Sequence, residues 1–274
     1  MNAASELSSF ETGDGLLVYR DAGHGPLLVL LHGGFLDHGM WDDQVPDLAR
    51  THRVIVPDAR GHGGSSNASE PFRHTDDLAA LLRRLDAGPA VLAGVSMGAA
   101  IAVDTALEHP DLVRALVVSG AATSEPEFHD PWSKEVLAAQ VRALGEGDVE
   151  GWVDAFMLFA AGPHRTLDDV DRTVVRRLRD MTFRTLSKHR ADEPDLRVPV
   201  PGTWARAAGI EVPVLAVHGG IDSADHLAMA RRLVETVADG REATVEGTAH
   251  YPNMERPDAF GGILRDFLAA VPAG

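Results

Sequence analysis

The sequence predicts an α/β fold built on a mostly parallel sheet with helices on both faces. Three observations point there. Short runs that are apolar throughout alternate with segments carrying apolar residues at helical spacing, the pattern of parallel strands buried on both faces. The alternation breaks over residues 123–208, where helix-like patterns replace strands, and then resumes, so a helical insertion interrupts one core. A serine between two glycines follows one of the apolar runs and opens a helical segment, the kind of strand-to-helix turn on which parallel sheets carry functional groups. A chain of 274 residues is long enough to bury one large core of this kind.

Residues 16–20 and 27–31 read as strands, separated by the turn Gly23-His24-Gly25-Pro26. Residues 41–50 suit a helix. Val54, Ile55 and Val56 form a β-branched strand that ends at Pro57-Asp58. Leu78, Leu81, Leu82 and Leu85 line one face of a helix over 76–85. Residues 90–93 are a short apolar strand, 97–109 a helix stopped by Pro110, and 113–118 another apolar strand. Within the insertion, helical patterns cover 134–144, 149–160 and 167–186, and Trp132, Trp152, Trp204, Phe156, Phe159 and Phe183 all fall there. A strand at 212–217, a helix at 226–237, a strand near 242–245 and a helix at 257–270 complete the pattern. The expected division is core 1–122, helical insertion 123–208 and core 209–274.

Composition narrows the function classes. Hydrophobic residues make up 45% and charged residues 24%, as in soluble globular proteins. With 25 Lys and Arg against 41 Asp and Glu the net charge is −16, which repels phosphate backbones and anionic bilayers, so neither nucleic acid nor membrane is expected as a partner. The chain has no cysteine, which excludes disulfides, thiolate metal sites and a cysteine nucleophile, and fits a cytoplasmic protein. The opening stretch MNAASELSSFETGDG lacks the basic start and apolar run of a secretory signal, and no run of about 18 apolar residues is present. The two lysines, Lys134 and Lys188, lie outside any P-loop context. Nothing in the pattern specifies an oligomeric state.

The strongest chemical signal is Gly94-Val95-Ser96-Met97-Gly98, a G-x-S-x-G turn between strand and helix. The pentapeptide alone is common; the flanking elements make it specific. A sharp turn there needs small neighbours and aims the hydroxyl at the positive end of the following helix. Serine is protonated at neutral pH and needs a base. Among the 13 histidines, His250 stands out, in Glu246-Gly247-Thr248-Ala249-His250 after a late strand and before the last helix. His218, followed by two glycines, reads as a turn residue, and His32 as a structural support for its loop. The carboxylate that would hold the imidazole tautomer is Asp222, in Gly219-Gly220-Ile221-Asp222 past the strand at 212–217; Asp225 competes but suits a helix cap better. Two backbone donors for an oxyanion are expected from Met97 and from the loop after an early strand, with Gly34 the first choice there and Phe35 the second.

Taken with His32-Gly33-Gly34 and Pro57-Asp58-Ala59-Arg60-Gly61-His62-Gly63-Gly64-Ser65, these residues resemble the α/β-hydrolase superfamily, and within it the esterase, enol-lactonase and haloperoxidase-like group. The resemblance runs from about Leu16 to Leu268, with 123–208 matching as a variable helical cap. It implies an eight-stranded, mostly parallel sheet, no cofactor and no metal, a structural role for the Asp58–Ser65 turn, and a histidine loop running through Tyr251-Pro252-Asn253-Met254-Glu255-Arg256-Pro257. One departure is Gly34, where a bulkier residue is common.

The expected activity is hydrolysis of a small carboxylic ester or lactone through an acyl-enzyme. Carbon–carbon bond hydrolysis by the same triad is the alternative, as is a ligand-binding or lyase member of the fold. Serine at position 96 argues against the dehalogenase and epoxide hydrolase chemistry that needs aspartate there. Trp152, Phe156 and Phe159 share one helix face. That stripe either buries the cap or, with Phe35, lines an apolar substrate pocket; Phe35, Trp152 and Phe156 are the candidates for the second role.

Overall fold

The computed structural model describes residues 6–190 and 192–271. Eight strands form one sheet: β1 (Glu6–Thr12), β2 (Gly15–Gly23), β3 (Leu27–Leu31), β4 (Arg53–Pro57), β5 (Ala90–Val95), β6 (Val113–Ser119), β7 (Val214–Gly219) and β8 (Gly240–Val245). Their order across the sheet is β1-β2-β4-β3-β5-β6-β7-β8. Only the β1–β2 and β2–β4 pairings are antiparallel; the other five are parallel. This is the mostly parallel, eight-stranded sheet expected.

The helices are α1 (Val45–Leu48), α2 (His74–Leu85), α3 (Met97–Glu108), α4 (Pro131–Glu146), α5 (Val149–Ala161), α6 (Arg172–Leu186), α7 (Thr203–Arg206), α8 (Ala224–Thr236), α9 (Pro252–Glu255) and α10 (Pro257–Ala270). Alternation along the strands sorts side chains into two layers. Leu28 and Leu30 of β3, with Val91 and Ala93 of β5, pack with Trp41, Phe260 and Leu264. Leu27, Val29 and Leu31 face the other way, among Leu78 and Leu81 of α2, Val103 of α3 and Leu233 of α8. Trp152, Phe156 and Phe159 of α5 belong to the first layer, so the helical segment between β6 and β7 shares a core with the sheet.

Two expectations change in detail, and one strand is new. The helix at 41–50 is broken: a 3-10 turn (His38–Trp41) precedes α1, which begins at Val45-Pro46 because proline starts a helix but cannot donate within one. The helix at 167–186 is two pieces, a 3-10 turn (Leu167–Asp169) boxed by Thr166 and Asp169, and α6, capped by Asp171, which accepts from the Thr173 N–H at 2.7 Å. Strand β1 was not anticipated, because ELSSFET is polar and an edge strand needs only one paired side. No helix among the described residues is long and apolar enough to cross a membrane.

The turn after β4 is pinned by one buried carboxylate. Asp58, 1% exposed, accepts from the His38 N–H (2.7 Å), the His38 imidazole (2.9 Å) and the Gly64 N–H (2.8 Å). Burial opposes its ionisation, but His38 and these N–H donors prevail and hold the carboxyl below its ordinary value. Its ionised form therefore stabilises the fold above the unfolded-state pKa, and that contribution is lost as pH falls through the lower folded value. Asp58→Ala should lower unfolding free energy by about 3 kcal/mol in urea titrations at pH 7, since it leaves buried donors unpaired. The deficit relative to the parent should shrink toward acid pH.

Candidate active site

The carboxyl ends of β3, β5, β7 and β8 lie along one edge of the sheet, where loops of an open parallel sheet converge. Each delivers one predicted group: Gly34 follows β3, Ser96 follows β5, Asp222 follows β7 and His250 follows β8.

Ser96 links β5 to α3 with φ 54° and ψ −117°, a backbone conformation costly for a residue with a Cβ, on the order of 1–3 kcal/mol. Its N–H donates to the Ser119 carbonyl (2.8 Å), and its own carbonyl accepts from Ala99 and Ala100 (2.9 and 3.1 Å), so both sides of the bend are fixed. The bend also forces close packing. A Cβ on Gly94 would lie 2.2 Å from the Gly98 backbone, and one on Gly98 would lie 2.2 Å from the Leu31 carbonyl oxygen. The sequence places glycine at both positions because backbone meets backbone there. Ser96 itself is half-buried and so remains reachable.

Met97 begins α3, and the first turn of a helix leaves its N–H groups without intrahelical acceptors. Gly34 lies against it, the Cβ position of Gly34 being 3.8 Å from the Met97 Cβ. The Gly34 loop is a tight turn in which the Leu36 N–H donates to the Gly33 carbonyl (3.2 Å) and Phe35 adopts φ 60°. Buried His32 accepts from the Ala59 N–H at Nε2 (3.0 Å) and donates from Nδ1 to the Gly33 carbonyl (2.7 Å), tying this loop to the turn after β4. Burial lowers its pKa, which keeps the ring neutral as that bonding requires.

His250 and Asp222 meet, with Nδ1 of His250 2.9 Å from a carboxylate oxygen of Asp222. Both are buried, at 3% and 4% exposure. Burial works against ionisation of Asp222, but His226 and His250 outweigh it and depress its pKa far below the usual carboxylate range. Burial lowers the pKa of His250, opposed in part by Asp222, so the ring is a neutral base at pH 7. The His250 ring lies over Gly120, where a Cβ would come within 2.5 Å of its Cε1. A hydroxyl on a strained turn, a neutral buried imidazole oriented by a carboxylate, and N–H groups at a helix start are the parts that acyl transfer needs.

Sequence reasoning misplaced two residues and missed others. Asp225 does not cap α8; Ser223 does, accepting from the His226 N–H. The Asp225 carboxylate instead accepts the N–H groups of His129 and Asp130 (3.0–3.2 Å), fastening the start of the helical segment. His218 belongs to β7 and lies 3.1 Å from Glu242 of β8, so it is a buried strand residue and not a turn residue. His226, second partner of Asp222, carried no motif to mark it. Arg165 and Glu255 were also missed: their ion pair (2.7 Å), between a half-buried arginine and a carboxylate little exposed to solvent, joins the segment after α5 to the histidine loop, where Glu255 accepts from the Ala249 N–H (2.8 Å).

The aromatic stripe of α5 reaches this site. Trp152 stacks on Phe156 (centroids 5.4 Å) and meets the Phe35 ring edge-on at 4.5 Å. Phe159 lies 5.5 Å from both His226 and His250. Among the described residues, Asp222, His226 and His250 form the one cluster whose donor atoms are close enough to share a metal ion, within 4.8 Å. Hydrogen bonds between the two Nδ1 atoms and the carboxylate already account for that closeness.

Comparison with known proteins agrees with this architecture. A family model described as the alpha/beta hydrolase fold matches residues 26–257. The pimeloyl-[acyl-carrier protein] methyl ester esterase of Aeromonas hydrophila is 29% identical, covering 90% of this chain and 96% of that protein. Among solved structures, a hydrolase from Pseudomonas aeruginosa superposes with a TM-score of 0.74 at 30% identity over 96% of this chain and 98% of that one. The enol-lactonase from Burkholderia xenovorans gives 0.76 at 26% identity, over 96% and 100%.

The packing of the serine turn yields a contrast between two glycines. Gly98→Ala must displace the β3 backbone and should cost at least about 3 kcal/mol in urea unfolding. Gly34→Ala meets Met97 only at ordinary contact distance and should fold with near-parental stability.

Proposed function

The chain belongs to the α/β-hydrolase fold family, and from that membership we propose that it is a serine hydrolase cleaving a small carboxylic ester or lactone through an acyl-enzyme. The observation that carries this reading is Ser96 at φ 54° on the turn between β5 and α3, above the sheet edge that also carries the Asp222–His250 pair. The esterase and enol-lactonase among its relatives support the bond type.

In this mechanism Ser96 Oγ attacks the carbonyl carbon while Nε2 of His250 accepts the hydroxyl proton. Asp222, bonded at Nδ1, fixes the tautomer and stabilises the imidazolium. The N–H groups of Met97 and Gly34 receive the oxyanion of the tetrahedral intermediate. Collapse expels the alkoxide, which takes the proton back from His250; a lactone's alkoxide stays tethered to the acyl group. Water, deprotonated by His250, then releases the acid and restores Ser96. The division into core 1–122, cap 123–208 and core 209–274 is part of the same proposal, the cap supplying Trp152 and Phe156, which with Phe35 form an apolar wall for the acyl or alcohol group.

A fluorophosphonate should label Ser96, and Ser96→Ala should abolish both labelling and turnover on a panel of esters and lactones while leaving Tm unchanged. A parent protein inert toward probe and panel alike would refute the reading. Because burial depresses the His250 pKa, kcat/KM should rise with pH along a limb centred below the ordinary histidine value of 6.5 and be flat above it.

Trp152 is 8% exposed, so Trp152→Ala should cost about 3–5 kcal/mol of stability. At a temperature where the variant remains folded, its preference along a p-nitrophenyl ester series should move toward longer acyl chains. An unchanged preference would leave Trp152 a packing residue alone.

A further inference from the structure

Asp222 holds two imidazoles. One carboxylate oxygen meets Nδ1 of His250 at 2.9 Å; the other accepts from the Ser223 N–H at 2.7 Å and lies 3.1 Å from Nδ1 of His226. The His226 ring is 5% exposed, and its centroid is 4.2 Å from that of His250. Its placement is fixed by the helix that carries it: Ser223 caps α8, and His226, three residues on, donates its own N–H to the Ser223 hydroxyl at 3.3 Å. The first turn of α8 thus turns the imidazole back onto the loop that holds Asp222, four residues earlier in the chain.

The protonation pattern follows from the partners. An Nδ1 lone pair facing a carboxylate oxygen at 3.1 Å would be repulsive, so Nδ1 of His226 carries hydrogen and donates to Asp222, with the Ser223 hydroxyl oxygen (3.0 Å) on its flank. Three donors then fix both oxygens of Asp222, and rotation of the carboxylate away from His250 would break the other two bonds as well. Phe128 and Phe159 close over the His226 ring at 5.9 and 5.5 Å, which keeps these bonds in an apolar surrounding where they are strong.

Resting on the triad reading, we propose that His226 is a positioning residue for the reaction: it clamps the far oxygen of Asp222 and so holds the carboxylate in the orientation that aligns His250. The titratable groups facing it are Asp222 and His250. Tyr251 packs against His250 at 5.1 Å, and the Asp225 carboxylate is occupied by the N–H groups of His129 and Asp130.

The test compares the parent, His226→Ala and His226→Asn by turnover of p-nitrophenyl acetate, rate of fluorophosphonate labelling at Ser96, and Tm. Asparagine places an amide N–H where Nδ1 stands. His226→Ala should lower kcat roughly tenfold, the scale of losing one hydrogen bond to a charged group, with KM little changed. Its acid limb of kcat/KM should move to higher pH, because Asp222, with one hydrogen-bond donor fewer, stabilises the His250 imidazolium more strongly. His226→Asn should recover most of kcat and bring the limb back toward its parental position, because the amide restores the donor to Asp222. Parental kcat and limb in His226→Ala, with Ser96 still labelled, would overturn the proposal and leave the serine-hydrolase reading standing. Equal losses in both variants that track a fall in Tm, with the limb unmoved, would mark a packing role and also overturn it. A parent in which Ser96 is not labelled would instead refute the triad reading beneath it.

Discussion

The architecture depends on one bend of backbone. Ser96 sits at φ 54° and ψ −117°, which a serine does not choose when left alone. The conformation persists because β6 offers the Ser119 carbonyl to its N–H and because two glycines let α3 press against β3 and β5. The central strands must therefore be in register before the hydroxyl is in place. The parallel pairings of β5 with β3 and β6, buried along their length, supply that register, and the loops after β3, β7 and β8 then converge on a position already defined.

A second constraint is the buried charge of Asp222. A carboxylate at 4% exposure is tolerated only when its oxygens are satisfied, and here a backbone N–H and two imidazoles do so. The histidine loop needs support of its own. Glu255 accepts from the backbone just ahead of His250 and pairs with Arg165, four residues past the end of α5, while Gly120 leaves room for the ring. Charge, orientation and burial are thus fixed by separate elements acting on one pair of side chains.

Much of this was legible in the sequence, and the reasons differ by element. Apolar strands such as 27–31 and 113–118 announce themselves because burial on both faces leaves no polar alternation. Ser96, Asp222 and His250 could be proposed because a turn motif, chain order and strand ends coincide. Strand β1 escaped because ELSSFET carries little apolar signal and its pairing is a long-range fact. Local chemistry favours a cap role for Asp225, but the side chain reaches the N–H groups of His129 and Asp130, nearly a hundred residues away in sequence. His226 escaped for a related reason. Its significance lies in the rotation of α8 that Ser223 sets, and one sequence read residue by residue does not display that rotation.

The aromatic face of α5 lies in the same packed layer as Leu28, Val91 and Phe260. Variation within this segment is consequently unequal. The outward sides of α4 and α6, where Val141, Leu144 and Arg179 meet solvent or other surface charges, can drift with little consequence for the rest of the molecule. Along Trp152, Phe156 and Phe159 each exchange must be matched by neighbours on the sheet or on the Phe35 turn. Lineages of this chain would then change this face in coupled steps, several rings together, while the outer helices record neutral divergence.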